Sequence, residues 1–134
     1  MPAPFVTTHK LRFSDCDMVG HVNNAIYSVM FEAGRTDLMQ AAGIYRSDAA
    51  FSMVIVRLEI DFRREMNWPG DVVIETHVER IGGKSIHMRQ VLTSAGETRA
   101  DGLSVLAAID RDSRRAIALD GSWRDRFAPW TIAA

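Results

Sequence analysis

The stretch from residue 25 to residue 42, AIYSVMFEAGRTDLMQAA, restricts the possible folds more than any other part of the chain. Tyr27, Phe31, Gly34, Leu38 and Ala41 recur at spacings of three and four, which traces one face of an α-helix. Ile26, Val29, Met30 and Ala33 form a second apolar stripe beside the first. The first half of this helix is therefore apolar almost all round, and such a helix is buried on most sides. Asn23 or Asn24 suits the N-cap, and Gly43 suits the stop. One sheet face cannot cover such a rod, so a second subunit is expected to complete its burial. We expect a homodimer or a dimer-of-dimers tetramer, and a stable monomer in sedimentation would contradict this.

The rest of the chain reads as strands. A first strand is expected over residues 5–13, followed by a loop rich in turn and capping residues over 14–24. Val56, Leu58, Ile60 and Phe62 alternate with Arg57, Glu59, Asp61 and Arg63. That period of two predicts a strand with one buried and one wet face. Further strands are expected over 72–81, 85–93, 99–110 and, briefly, 116–119, with a short closing helix over 120–127. The intervening turns are short, so neighbouring strands pair antiparallel. The expected fold class is α+β: a curved antiparallel sheet wrapped around one long central helix, in a single domain over residues 1–134.

Composition removes several function classes. There are 16 Lys+Arg against 17 Asp+Glu, a net charge of -1, and hence no strongly basic face for nucleic acid. The single cysteine, Cys16, cannot form an intrachain disulfide, which favours a reducing compartment. The opening Met1-Pro2-Ala3-Pro4-Phe5 lacks the basic-then-apolar pattern of a signal peptide. No stretch is long and apolar enough to span a bilayer. A cytoplasmic location without membrane association is expected. His9, His21, His77 and His87 have no metal-ligand spacing, so no metal site is expected. Gly82-Gly83-Lys84-Ser85 is like the end of a phosphate loop, but the preceding glycine spacing and the following helix are missing. No cofactor is expected.

The segment with chemical content is Asp15-Cys16-Asp17-x-x-Gly20-His21-Val22-Asn23-Asn24-x-x-Tyr27. The first turn of a helix carries free N–H groups and a partial positive charge. Those amides can polarise a carbonyl and hold the charge of a tetrahedral intermediate. Asp17, a few residues ahead, can act on that carbonyl as nucleophile or as general base toward water. Gly20 lets the loop turn and lets a ligand approach the backbone. An aspartate before a helix also suits a cap or an Asx turn, and on the residues alone this plainer role leads for Asp17 and more so for Asp15. His21 fits a second acid/base or substrate-orienting group as well as a backbone-bonded loop residue.

Phe13-Ser14-Asp15-Cys16-Asp17, Gly20-His21-Val22-Asn23-Asn24 and Tyr27 together resemble the signature of the 4-hydroxybenzoyl-CoA thioesterase family of hotdog-fold proteins. The Gly83-Lys84-Ser85 turn and the stretch 123–127 are similar more loosely. The resemblance implies that two subunits join their sheets and that an acyl-CoA site lies at the junction. It implies Asp17 as the catalytic carboxylate and the Asn24 amide as the donor to the thioester carbonyl. Tyr27 would lie near the acyl pocket, with Gly20 and His21 beside the substrate. Lys84 and Ser85 would contact the coenzyme A phosphates. Coenzyme A enters here as part of the substrate. The expected reaction is hydrolysis of an acyl-CoA to a free acid and coenzyme A. The alternatives are a hotdog-fold acyl thioester dehydratase or hydratase, in which His21 would work with Asp17, and a non-catalytic acyl-binding module.

Overall fold

The computed structural model describes residues 1–45 and 49–132. Five strands form one antiparallel sheet: β1 (Phe5–Lys10), β2 (Phe51–Phe62), β3 (Asp71–Ile81), β4 (Ser85–Ser94) and β5 (Glu97–Asp110), in the order β1-β3-β4-β5-β2. Helix α1 (Asn24–Ala41) has 18 residues and packs across β1, β3 and β4. A shorter helix, α2 (Gly121–Phe127), closes one end of the sheet. Asp120 caps α2 by accepting from Ser122 N at 2.9 Å.

The core is divided. One apolar cluster contains Tyr27, Met30, Phe31, Ile74, Leu92 and Ala100. The other contains Leu38, Val78, Met88, Leu106, Trp123 and Phe127. Between them a polar row crosses the sheet, formed by buried Thr76 on β3, Gln90 on β4 and Ser104 on β5. Gln90 Nε2 donates to Phe31 O at 2.8 Å and to Thr76 Oγ1 at 3.2 Å, and Ser104 Oγ donates to Gln90 Oε1 at 2.9 Å. Gly34 lies over this row. A Cβ there would stand 2.6 Å from Ile74 Cγ2, so the close approach of α1 requires glycine.

The structure corrects several expectations. Ala41 of the expected helical face is exposed, and Ala42 is buried in its place. Strand β2 begins at Phe51, and its alternation slips at a bulge between Ile55 and Arg57. Its apolar face is not buried either, since Leu58 and Phe62 are exposed. Residues 116–119 form no strand. Ala116 makes one isolated bridge to Ile109, while Leu119 N donates to Gly83 O at 2.8 Å.

Candidate active site

The segment between β1 and α1 is a small hairpin hung from a buried carboxylate. Asp15 ends a 3-10 turn (Phe13–Asp15) and is wholly buried. Arg12 donates to it from the backbone N at 2.9 Å and from Nε and Nη2 at 3.2 and 2.8 Å. His9 Nε2 lies 3.1 Å from Oδ2, the oxygen that also accepts from Arg12 N, while the guanidinium holds Oδ1. Burial alone would push the Asp15 carboxyl up. The bonds from Arg12 and His9 outweigh burial and hold it below the ordinary carboxylate value. The carbonyl of the same residue accepts from Asn23 N at 2.8 Å, which ties the loop to the start of α1.

From that anchor, Cys16 and Val22 form an antiparallel bridge. Asp17 N donates to His21 O, and Gly20 N donates to Asp17 O, both at 3.0 Å. Gly20 adopts φ +94°, the left-handed region that glycine enters without strain. The tip presents Asp17 to solvent. Its Oδ1 accepts from Val19 N at 3.0 Å, so the Asx-turn role is realised. Among the described residues, Oδ2 has no hydrogen-bond partner.

Asn23 occupies the first amides of α1. Its side chain accepts from Ala25 N at 2.9 Å, and its carbonyl accepts from Ile26 N at 2.9 Å. Among the described residues, the Asn24 N–H has no partner. One donor at the positive end of an 18-residue helix is thus left unpaired beside the hairpin.

Two recesses flank this hairpin. Asp17 and Gly20 line one of about 370 Å³ with Cys16, Phe13 and Trp68, the last two rings meeting edge-on at 5.4 Å. His21, Asn24 and Tyr27 line the other, of about 250 Å³, with Phe62 and Arg64. Tyr27 Oη donates to Arg64 O at 3.3 Å, and its ring meets Phe62 edge-on at 4.9 Å. Burial pushes the Tyr27 phenol up, so it stays protonated.

The expected site residues are therefore split: Asp17 with Gly20 on one side of the hairpin, and His21, Asn24 and Tyr27 on the other. His21 Nε2 lies 2.9 Å from Glu65 Oε2, so its ring faces Glu65 rather than Asp17. Lys84 and Ser85 sit at the β3–β4 turn and line neither recess. Lys84 is exposed. Ser85 Oγ lies 3.2 Å from His87 Nε2, whose pKa burial and nearby Arg80 hold low. Glu32 is exposed and lies 4.0 Å from Arg35.

Two groups escape a reading of the sequence. Arg35 is buried, although it carries a full charge. Its position four after Phe31 and three before Leu38 places it on the buried stripe, which is the signal that could have found it. Asp15 reads as a plain cap. Its spacing of three from Arg12 is the available hint of the clamp that the structure shows.

The model of the thioesterase-like superfamily matches residues 11–130. The long-chain acyl-CoA thioesterase FadM of Escherichia coli (strain K12) is 30% identical over 125 residues, covering 90% of this chain and 95% of that one. A solved structure described as a predicted thioesterase from Bacillus stearothermophilus superposes with a TM-score of 0.90 at 31% identity, covering 98% of this chain and 99% of that one. A thioesterase from Thermus thermophilus, solved with coenzyme A and Zn, superposes with a TM-score of 0.80 at 28% identity, covering 94% and 92%.

Proposed function

The chain belongs to the thioesterase-like superfamily and hydrolyses acyl-CoA thioesters, and from that premise we propose that Asp17 is the catalytic carboxylate and that the acyl group is long. The observation that carries the proposal is the unpaired Asn24 amide at the start of α1, joined to Asp17 by a hydrogen-bonded hairpin. The thioester carbonyl accepts from that amide, which gains strength as negative charge develops on the oxygen. Asp17 acts from the other side through its open Oδ2. Either Oδ2 removes a proton from water as the water oxygen bonds to the carbonyl carbon, or it attacks that carbon itself and water hydrolyses the resulting anhydride. In both routes the carbon–sulfur bond breaks, the thiolate leaves and takes up a proton, and the products are the free acid and coenzyme A.

Gly20 and His21 border the reacting group, and Tyr27 walls the first part of the acyl chain. Lys84 and Ser85 stand past the end of β3 opposite Asp71, the residue paired with Lys10 beside the hairpin, so their contact with coenzyme A phosphates is assigned to the site of the second copy. No resident cofactor or metal takes part. The long-chain acyl preference is supported by the activity in the name of the Escherichia coli relative. The chain is read as one hotdog domain, its sheet curving round α1, acting in the cytoplasm.

The site is completed by a second copy. Strand β2 is a free edge of 12 residues, and Ile55, Val56, Leu58 and Phe62 on it are exposed, Val56 to 60%. An apolar edge of this length aggregates unless it is paired. Pairing of two β2 edges satisfies their free backbone groups and brings each hairpin toward the other protomer, in a homodimer or a dimer of such dimers, while Ile55, Leu58 and Phe62 remain on the α1 face.

Thiol release from a panel of acyl-CoAs tests the proposal. Asp17→Asn keeps the Val19 contact and the fold, and is expected to lower kcat about a hundredfold or more. Turnover within about tenfold of wild type would overturn the assignment. A dehydratase would use His21 with Asp17, but the His21 ring is taken by Glu65. Loss of conjugated absorbance from an enoyl-CoA without thiol release would nonetheless establish that activity.

A further inference from the structure

Helix α1 and the edge strand do not close on each other. Cross-strand partners share a face, so the pairing of β2 with Ala100, Ser104 and Leu106 puts Phe62, Leu58 and Ile55 on the α1 side. All three are nevertheless exposed. They leave the face of β2 beside α1 open, with a recess at each end. At the near end Phe62 meets Tyr27, within the recess that holds Asn24. At the far end lies a recess of about 480 Å³ bordered by Glu32, Arg35, Thr36 and Tyr45 on one side and by Met53 and Ile55 on the other. Arg35 is eleven residues beyond Asn24 (35 − 24), about 16 Å along a helix axis. Only an extended acyl chain spans that distance.

Arg35 does not suit a purely apolar terminus. It is 6% exposed, and its guanidinium stays charged with five N–H donors. Among the described residues it meets Ser104 Oγ at 3.5 Å and the exposed Glu32 carboxylate at 4.0 Å. Both contacts are long, so the five-donor guanidinium keeps capacity for a closer acceptor, although no buried side-chain nitrogen or oxygen among the described residues is wholly without a partner. Thr36 and Tyr45 add hydroxyls to the same recess, while Met53, Ile55 and Leu106 offer apolar surface for methylenes.

We propose that this recess receives the distal end of the acyl group, and that Arg35 selects chains ending in a hydrogen-bond-accepting oxygen: a hydroxyl, an oxo group or a carboxylate. The inference rests on the thioesterase reading and narrows its substrate class. Glu32 borders the site with its side chain 69% exposed, 4.0 Å from Arg35.

The test is a length-matched acyl-CoA series ending in methyl, hydroxyl, oxo or carboxyl, assayed by thiol release on wild type and on Arg35→Met. At least one oxygen-ended chain should exceed the methyl-ended chain about tenfold in kcat/KM, and Arg35→Met should bring that ratio to about one. Absence of a preference in wild type, or its survival in the variant, overturns the proposal. If Arg35→Met does not fold, Thr36→Val with Tyr45→Phe replaces it, with the same expected fall in the ratio. If no acyl-CoA releases thiol, the thioesterase reading fails by itself. Calorimetric binding of the free acids then decides the inference: tighter binding of the oxygen-ended acid supports it, and equal binding overturns it.

Discussion

Replacing Gly34 by alanine sets two effects of opposite sign against each other. Gly34 is in the interior of α1, where alanine is intrinsically better by about 1 kcal/mol. The space at this position reverses the outcome. A Cβ would lie 2.6 Å from Ile74 Cγ2, 2.9 Å from Gln90 Nε2 and 2.9 Å from Thr76 Oγ1. Ile74 and Thr76 are fully buried on β3, and the Gln90 amide is engaged with Phe31 O and Thr76 Oγ1. None of these groups can yield without moving a strand or breaking a hydrogen bond. Overpacking of this kind costs about 1–3 kcal/mol, and a strained buried hydrogen bond adds about 1 kcal/mol. After the helix-propensity gain, Gly34→Ala should destabilise the fold by about 1–3 kcal/mol. Urea unfolding at fixed protein concentration reads this directly. With a slope of about 2 kcal/mol/M, the midpoint should fall by about 0.5–1.5 M and the slope should not change. A midpoint equal to or above that of wild type would show that the helix does not rest on the polar row as described.

Two further outcomes follow from the anchors of the site. Asp15 is held ionised in the folded chain below its ordinary value, so its contribution is full above the unfolded carboxyl value, about 3.9, and is lost as pH falls through the lower folded value. Asp15→Asn should therefore lose about 3 kcal/mol at neutral pH and show a flatter acid limb than wild type, checked by unfolding across pH 2–7 (roughly the range bracketing that titration). At the free edge, Val56→Lys should convert the assembled protein to monomer in analytical ultracentrifugation, and an unchanged sedimentation coefficient would exclude β2 pairing as the assembly mode.

Local periodicity carried most of the architecture. The stripe Tyr27–Phe31–Gly34–Leu38 and the order strand, helix, strands could be read because a buried face repeats with the period of its element. The first half of β2 escaped because Phe51, Met53 and Ile55 share a face, and the bulge then shifts the apolar set by one residue. Reading from Val56 onward kept the alternation but put Val56 on the wrong footing. The split of the site escaped for a different reason. Spacing along the chain places Asp17 near Asn24 in sequence, but the direction of each side chain is fixed by hydrogen bonds, including that of Asn23 to the Asp15 carbonyl, which no periodicity encodes. The burial of Arg35 and Gln90 is likewise a property of facing elements: each sits on an apolar stripe, and only the opposite element shows what meets it.

The polar row under α1 bears on the chemistry as well as on the fold. A core of this size could be wholly apolar, yet Thr76, Gln90 and Ser104 divide it in two. The gain is positional. Gln90 holds the carbonyl of Phe31, two turns from the start of the helix, and Gly34 sets the height of the helix above the sheet. Asp15 separately fixes the hairpin to β1 through His9 and to the helix start through Asn23. The relation between the Asn24 amide and the Asp17 carboxylate is therefore held by two independent clamps, one on the rod and one on the loop. On the roles proposed for Asn24 and Asp17, loosening either should reduce kcat before it unfolds the chain, because transition-state stabilisation falls off with a displacement of about 1 Å while apolar burial does not. Gly34→Ala, remote from the carboxylate, should thus lose turnover at temperatures where its far-ultraviolet spectrum is still native.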